Sequence, residues 1–360
     1  MALPRHSQVS RIIRSRLLRG AYSGRLPSER DLASELGTNP KTVQCALAQL
    51  EAVGLVRREQ RKGTFAVPLI GGSPESRTMR VRLVHSIGNL QESNALSFWS
   101  SRVIFQFQRA AATLGLEVIL EYADLLETDR VVMDAVIHSR DLRCAGTCLL
   151  SSPIDTPLAL RLSEAVGPVV VADWDLEEPL FPHVVFDNLN AGCLAAQHLL
   201  ELGHRRLAWL DYDLPETSRK DRRRGVEETL RQAGTTLSAE VFPGGMDDFT
   251  RSLLEVLRGP GRPTALVCGN PDLADIAIYV ANRNGFPVPE QLSVIALGQA
   301  GETPAPPGLA VIGMDYEGMG AKSLELLLDE RASAHPRREV ARVWLESGIT
   351  TAVAPQNESS

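Results

Sequence analysis

Residues 26–43, Leu-Pro-Ser-Glu-Arg-Asp-Leu-Ala-Ser-Glu-Leu-Gly-Thr-Asn-Pro-Lys-Thr-Val, leave the amino-terminal part of this chain little conformational choice. Ser28 is a good N-cap, and Asp31 stands three residues on, at capping-box spacing. Leu32, Ala33 and Leu36 fall on one helical face, and Gly37 is placed to end that helix in the left-handed conformation. Asn39 caps a second helix, with Pro40 at its first position, where a missing N–H costs nothing. Val43, Ala46, Leu47 and Leu50 give the second helix an apolar stripe, and Gly54 stops it. Two short helices around a small turn read as a helix-turn-helix.

The flanks extend this unit. Val9, Ile12, Ile13 and Leu17 recur at helical spacing, so a first helix is expected over 6–18. Strands are expected at 55–59 and 64–67, around Gln60-Arg61-Lys62-Gly63. Three helices and a basic hairpin make a winged helix-turn-helix over residues 1–67. A recognition helix presents its first residues to base edges. Here those are Asn39, Lys41, Thr42, Gln44 and Cys45, because 43, 46 and 47 face inward. Gln44 suits a bidentate contact to adenine, and Lys41 reaches guanine or phosphate.

Charge separates this head from the rest. Residues 1–67 hold twelve Lys and Arg against five Asp and Glu; the remainder holds twenty-six against thirty-nine. A basic module on an acidic body suits a protein whose head approaches phosphate while its body stays off the duplex. No apolar run is long enough to span a bilayer. Arg11, Arg14, Arg16 and Arg19 interrupt the apolar stretch where an export signal would lie, so a cytoplasmic protein is expected. Cysteines 45, 144, 148, 193 and 268 are scattered; Cys144 and Cys148 have no second pair to complete a zinc site and read as reduced core residues. No metal or cofactor is expected.

Residues 68–79 contain Gly71-Gly72-Ser73-Pro74 and read as a linker, either a flexible tether or a connector packed on its own core. From residue 80 short apolar runs alternate with helical stretches. Strands are expected at 81–85, 116–121, 147–150, 169–172, 207–211, 265–268 and 292–297. Helices are expected at 98–114, 128–138, 158–166, 191–202, 221–233, 249–257 and 272–284. Such alternation predicts parallel sheets covered by helices, and the length of 80–360 predicts two lobes. Ligands of such sheets bind at the carboxyl ends of the strands, here in the cleft between lobes.

The head resembles the DNA-binding domain of the GntR family. The resemblance rests on Leu-Pro-Ser-Glu-Arg at 26–30, Thr42-Val43, Ala46-Leu47, Leu50, Gly54-Leu55-Val56 and Lys62-Gly63-Thr64-Phe65. It implies a groove-reading role for Arg30, near the end of the helix preceding the recognition helix, and a wing tip at Lys62 and Gly63. Arg57, Arg58 and Arg61 are expected to supply diffuse attraction to phosphate. The commoner family pattern Ser-Arg-x-Thr-Val-Arg is Asn-Pro-Lys-Thr-Val-Gln here, so the usual guanine readout does not carry over.

The body resembles the effector-binding core of the LacI/GalR family, itself related to periplasmic sugar-binding proteins. The residues are Val185-Phe186-Asp187-Asn188, Ala191, Ala195, His198-Leu199, Gly203-His204-Arg205 and Arg222-Arg223-Arg224-Gly225. Pro263-Thr264-Ala265, Asn270, the run 288–295, Pro307, Leu309 and Met319-Gly320 follow in order. A GntR-like head on a LacI-like body resembles the arabinose-repressor type of regulator. The LacI family's own head and hinge helix are missing.

The resemblance implies effector contacts by Arg222 and Asn270. Phe98 and Trp99, where the first strand feeds its helix, and Asp173 and Trp174, after the strand at 169–172, are further candidates, each equally open to packing or capping. Arginine's fork suits hydroxyl pairs, and flat rings suit sugar C–H faces. Two departures count against simple transfer of a sugar ligand. Pro271 replaces the usual Asp after Asn270, and Gly298-Gln299 stand where the family has an acid. Asp272 or Gln299 are possible substitutes. Arg219-Lys220-Arg222-Arg223-Arg224 reads either as an attractor of anionic effectors or as a solvated helix start.

Together these readings predict a homodimeric DNA-binding regulator, a repressor, whose affinity for double-stranded operator DNA answers to a small molecule, with no membrane partner. The competing reading is an aminotransferase-like enzymatic body on a DNA head. It requires a cofactor lysine, and no Gly-Lys-Ser/Thr phosphate loop, His-Glu-x-x-His or Gly-x-Ser-x-Gly occurs.

Overall fold

A computed structural model of the chain describes residues 5–18, 21–22, 24–52, 55–59, 62–67, 80–87, 98–124, 144–152, 154–155, 157–159, 162, 168–176, 180–212, 217–242, 246–298 and 308–355. The linker at 68–79, the helix expected at 128–138, most of that expected at 158–166, and Gly54, Gln60, Arg61 and Gln299 lie outside the described residues. The chain divides into two compact units. One comprises 1–96, 102–185 and 317–339; the other comprises 97–101, 186–316 and 340–360.

The first unit opens with α1 (Arg5–Leu18), α2 (Glu29–Glu35), α3 (Pro40–Ala52), β1 (Val56–Glu59) and β2 (Gly63–Ala66). The capping box is closed: the Ser28 hydroxyl accepts from the Asp31 N–H at 3.2 Å, and the Asp31 carboxylate accepts from the Ser28 N–H at 3.3 Å. Gly37 has φ +58°, which ends α2 as its lack of a side chain allows. Asn39 Oδ1 accepts from the Thr42 N–H at 2.8 Å and so caps α3. Val9, Ile13, Leu26, Leu32, Ala33, Val43, Ala46, Leu47, Leu50 and Val56 form one buried core. β1 and β2 are antiparallel, with Val56 opposite Ala66. The segment 24–26 adds a third edge to this hairpin. Arg25 bridges Phe65, the Leu26 N–H donates to Thr64 O at 2.8 Å, and the Ala66 N–H donates to Gly24 O at 2.7 Å.

The same unit continues with β3 (Arg80–Ile87), α4 (Phe98–Thr113), β4 (Glu117–Asp124), β5 (Cys144–Leu150), β6 (Val169–Ala172) and β7 (His183–Phe186). Next come α5 (Asn188–Glu201), β8 (Leu207–Leu210), α6 (Thr217–Gln232), β9 (Ala239–Val241), α7 (Met246–Arg258), β10 (Ala265–Cys268), α8 (Pro271–Arg283), β11 (Ser293–Leu297) and β12 (Ala310–Met314). The chain closes with α9 (Tyr316–Leu328), α10 (Glu330–Ala334), β13 (Arg338–Ala341) and β14 (Val343–Glu346). Within the first unit α1 packs on α3 and also lies against α10.

Each unit is built on a six-stranded sheet, ordered β13-β7-β6-β5-β3-β4 in the first and β14-β12-β11-β10-β8-β9 in the second. The paired strands β3–β7 and β8–β12 run parallel, and β14 closes the second sheet antiparallel to β12. The inner strands are buried along their whole length, as a parallel sheet covered on both faces requires. In both sheets the first strand stands between the second and the third. The strand order therefore reverses direction between β3 and β5, and again between β8 and β10. Such switch points are where parallel sheets open a crevice at the carboxyl ends of their strands.

Five strands and one long helix lie where none was expected from the sequence. β7, β9 and β12 are three to five residues long, and β13 and β14 are four residues each at sheet edges, too short for a period-two pattern to stand out. α9 carries Gly318 and Gly320, which weaken a helical pattern. Gly320 is there for close approach: a Cβ on it would lie 2.3 Å from Val103 O of α4.

Candidate functional site

The head presents α3 as expected. Asn39, Lys41, Gln44 and Cys45 are exposed and Thr42 is half-buried, while Val43, Ala46 and Leu47 are fully buried. The Thr42 hydroxyl also lies 3.0 Å from Asn39 Oδ1, so that pair holds the start of the helix together. Arg30 stands elsewhere than the sequence reading put it. α2 begins at Glu29, so Arg30 lies in its first turn and not near its end, because the capping box forms at Ser28 and Asp31. Lys62 is exposed in the wing turn, with its ammonium 3.4 Å from Glu59. Gly63 opens β2 with φ +115°.

The arginines of the wing divide. Arg57 lies 2.8 Å from Glu59 and points outward. Arg58 was expected to attract phosphate diffusely; it instead donates to Gln44 O at 2.8 Å and lies 3.5 Å from Glu29 and 3.8 Å from Glu51. Its charge is spent on joining β1 to α2 and α3. Among the described residues no carboxylate pairs with Arg30 or Lys41, so both cations remain available to DNA phosphate or base edges.

In the second unit the polar groups gather at the carboxyl ends of β8, β10 and β12. Arg222, on α6, donates from Nε to Asn188 Oδ1 at 2.8 Å and from Nη1 to Gly269 O at 3.2 Å, while Nη2 lies 3.5 Å from Met314 Sδ. The guanidinium therefore spans the ends of β10 and β12, beside the start of α5. Asp211 follows β8 and is buried. It pairs with Arg219 and accepts from the Tyr212 N–H at 2.9 Å. A Cβ on Gly269 would lie 2.2 Å from the Asp211 carboxyl carbon, so glycine is what lets β10 end against that acid. Asn270 caps α8, its Oδ1 accepting from the Leu273 N–H at 2.9 Å. Partial desolvation, with the charge of Asp275 second, raises the Asp272 carboxyl above its ordinary range.

The two departures from the family pattern lie side by side in the structure. The Pro271 ring packs on Gly298: a Cβ there would lie 2.8 Å from Pro271 Cδ, and Gly298 holds φ +140°. A side chain at 298 would meet the Pro271 ring, and the positive φ there also favours glycine.

The basic run on α6 is mostly neutralised. Arg223 lies 2.8 Å from Glu227 and 2.7 Å from Glu240, and Arg224 lies 3.1 Å from Asp221. Arg219 is held by Asp211. Of the described arginines in the run, only Arg222 has no carboxylate partner.

In the first unit Asp173 follows β6, with φ +57°, and Ser151 follows β5, with φ +50°. The Ser151 hydroxyl donates to Asp173 Oδ2 at 3.0 Å. Non-glycine residues in this region each cost about 1–3 kcal/mol and are kept where the surroundings over-determine them. The Ser86 and Ser152 hydroxyls meet at 2.7 Å at the adjacent switch point. Trp174 packs on the buried cluster that contains Leu176 and Phe181. Phe98 and Trp99 occupy the first turn of α4, and their side chains lie outside the described residues. Sequence reasoning passed over Asn188, Asp211 and Ser151. The available signal was position: Asp211 and Ser151 directly follow apolar strands, and Asn188 opens the helix after one.

Comparison with known proteins bears on the two parts of the chain. Residues 5–66 match bacterial regulatory proteins of the gntR family, and residues 196–349 match the periplasmic binding protein-like domain. The HTH-type transcriptional repressor PurR of Erwinia tasmaniensis is 26% identical over 327 residues, covering 88% of this chain and 93% of the relative. A LacI transcriptional regulator from Rhodococcus species has a TM-score of 0.65 at 24% identity, over 77% of this chain and 100% of that one. The cellobiose complex of the regulator CelR has a TM-score of 0.63 at 21% identity, over 90% of this chain and 100% of that one.

Proposed function

We propose that this chain, a transcriptional regulator joining a gntR-family helix-turn-helix head to a periplasmic-binding-protein-like body, is a repressor released or strengthened by a small neutral polyhydroxylated molecule. The single observation that carries the effector reading is Arg222. It is fixed by Asn188 and Gly269 over the ends of β10 and β12, and no carboxylate among the described residues neutralises it. A preset guanidinium at a strand end offers paired donors to vicinal hydroxyls. The other arginines of the run, Arg219, Arg223 and Arg224, have acidic partners, which disfavours a strongly anionic ligand. The CelR neighbour, whose structure holds cellobiose, supports the same class.

On the DNA side the reading rests on Lys41 and Gln44, exposed on α3, and on the wing beside them. Two heads of a homodimer would read an inverted repeat. Coupling follows the packing of α1 on α10, which joins head and body inside the first unit. An enzymatic body of the aminotransferase type is set aside, because the body folds as two parallel sheets matching the periplasmic-binding-protein-like domain.

The test is a thermal-shift panel on the full chain, with glucose, ribose, cellobiose, sorbitol and ribose 5-phosphate, followed by binding to a duplex selected by the protein from a random pool. A neutral sugar or polyol should raise the melting temperature and change duplex affinity by about 5–150-fold. A response to the phosphorylated sugar alone would overturn the neutral-ligand reading.

A further inference from the structure

We propose that Arg25, outside the Leu-Pro-Ser-Glu-Arg run and the wing loop, is a DNA-contacting residue that neutralises one backbone phosphate beside the wing tip. The inference rests on the reading of the head as a duplex-binding module. Three observations carry it.

The first is placement. Arg25 belongs to the strand-like segment that pairs along β2, bridging Phe65, so its side chain is carried by the wing and not by a free loop.

The second is the wing-tip glycine. A Cβ on Gly63 would lie 2.9 Å from Arg25 Nε and 3.3 Å from Arg25 Nη2. The guanidinium thus lies against the bare face of Gly63. The glycine at the tip makes room for an arginine, and the two residues form one device.

The third is charge. Among the described residues the neighbouring wing cations are already engaged: Arg57 and Lys62 with Glu59, Arg58 with Glu29 and Glu51. Arg25 is exposed, and no carboxylate among the described residues pairs with it. A cation that must leave an internal acid to meet DNA exchanges one partner for another. An unpaired one adds the whole of its counterion-release gain. Its planar fork also suits two phosphate oxygens better than an ammonium does.

The experiment measures binding of the full chain to a random-sequence duplex across a KCl series, for wild type, R25M and R25K. Methionine keeps an apolar stem against Gly63 and removes the charge; lysine keeps the charge. The expected result is that R25M lowers the log–log salt slope by about 0.9 per head while R25K retains it. An R25M slope equal to wild type overturns the proposal. So does an R25K slope that falls as far as R25M, since the residue would then matter only for packing. A loss confined to A·T-rich duplexes overturns the phosphate assignment in favour of the minor groove. Wild-type protein that ignores the duplex overturns the DNA-binding reading of the head together with this one, which separates the two failures.

Discussion

The guanidinium of Arg58, on the first wing strand, donates to the main-chain carbonyl of Gln44, on the recognition helix, at 2.8 Å. The Arg58 N–H also donates to Glu51 Oε1 at 3.0 Å, so one residue fastens β1 to α3 at two points a helical turn and more apart. Arg58→Ala should lower the stability of the head by about 1–3 kcal/mol, the worth of charge-assisted hydrogen bonds. It should also weaken duplex binding evenly on all sequences, because the clamp sets the angle of α3 without touching bases. Thermal unfolding and binding to two unrelated duplexes check this. Wild-type melting in R58A would remove the clamp from the account.

Gln44 itself should behave differently. Its side chain is exposed and its carbonyl is held by Arg58, so the amide is presented from a fixed backbone. Gln44→Ala should relax preference at one base pair by about 1–3 kcal/mol if the contact to adenine is bidentate. Selection of duplexes from a random pool, by wild type and Q44A in parallel, reads this directly. Equal weakening at every sequence would move Gln44 onto the phosphate backbone.

Much of the head was legible because its signals are local. Ser28, Asp31, Gly37, Asn39 and Pro40 act within a few residues of themselves, and each does in the structure what its type and spacing implied. Arg58 was misread because its partners, Glu29, Gln44 and Glu51, are set by tertiary packing that no spacing rule reports. The same holds in the body. Pro271 and Gly298 looked like two separate losses in the sequence, yet the ring of one fills the space beside the other. Asp211 and Arg219 lie eight positions apart, with nothing in the sequence to pair them.

His85 gives the body a pH dependence of definite sign. It is buried on β3, 3.4 Å from Leu150 O and edge-on to Tyr122, and desolvation lowers its pKa from 6.5 to about 4. The folded state therefore favours the neutral ring. Its contribution is complete above pH 6.5 and is lost as pH falls towards 4, because the unfolded chain takes up the proton first. Between pH 7 and 5 the loss is about 2 kcal/mol. Urea unfolding at those two pH values should show a difference smaller by about that amount in His85→Gln, where His198 and His204, also lowered by burial, remain. An identical pH difference in H85Q would assign the dependence to other groups.

The position of Arg222 depends on two glycines at the contact between α5 and α6. α5 and α6 meet backbone to backbone. A Cβ on Gly192 would lie 1.9 Å from Arg222 O, and one on Gly225 would lie 2.0 Å from Leu189 O. Neither obstacle is a flexible side-chain end, so α6 must move away from α5 to admit a methyl group. That displacement acts on the turn that carries Arg222, whose Nε reaches back to Asn188 on α5 at 2.8 Å. Gly225→Ala should therefore cost about 1–3 kcal/mol from overpacking. It should also reduce the melting shift produced by whichever sugar stabilises the wild type, although no ligand contact has been altered. Lys220→Ala, at an exposed site on the same helix, should leave both quantities unchanged. If G225A melts with the wild type and keeps its full ligand shift, close approach of the two helices does not set the arginine, and the preset geometry at the strand ends must have another origin.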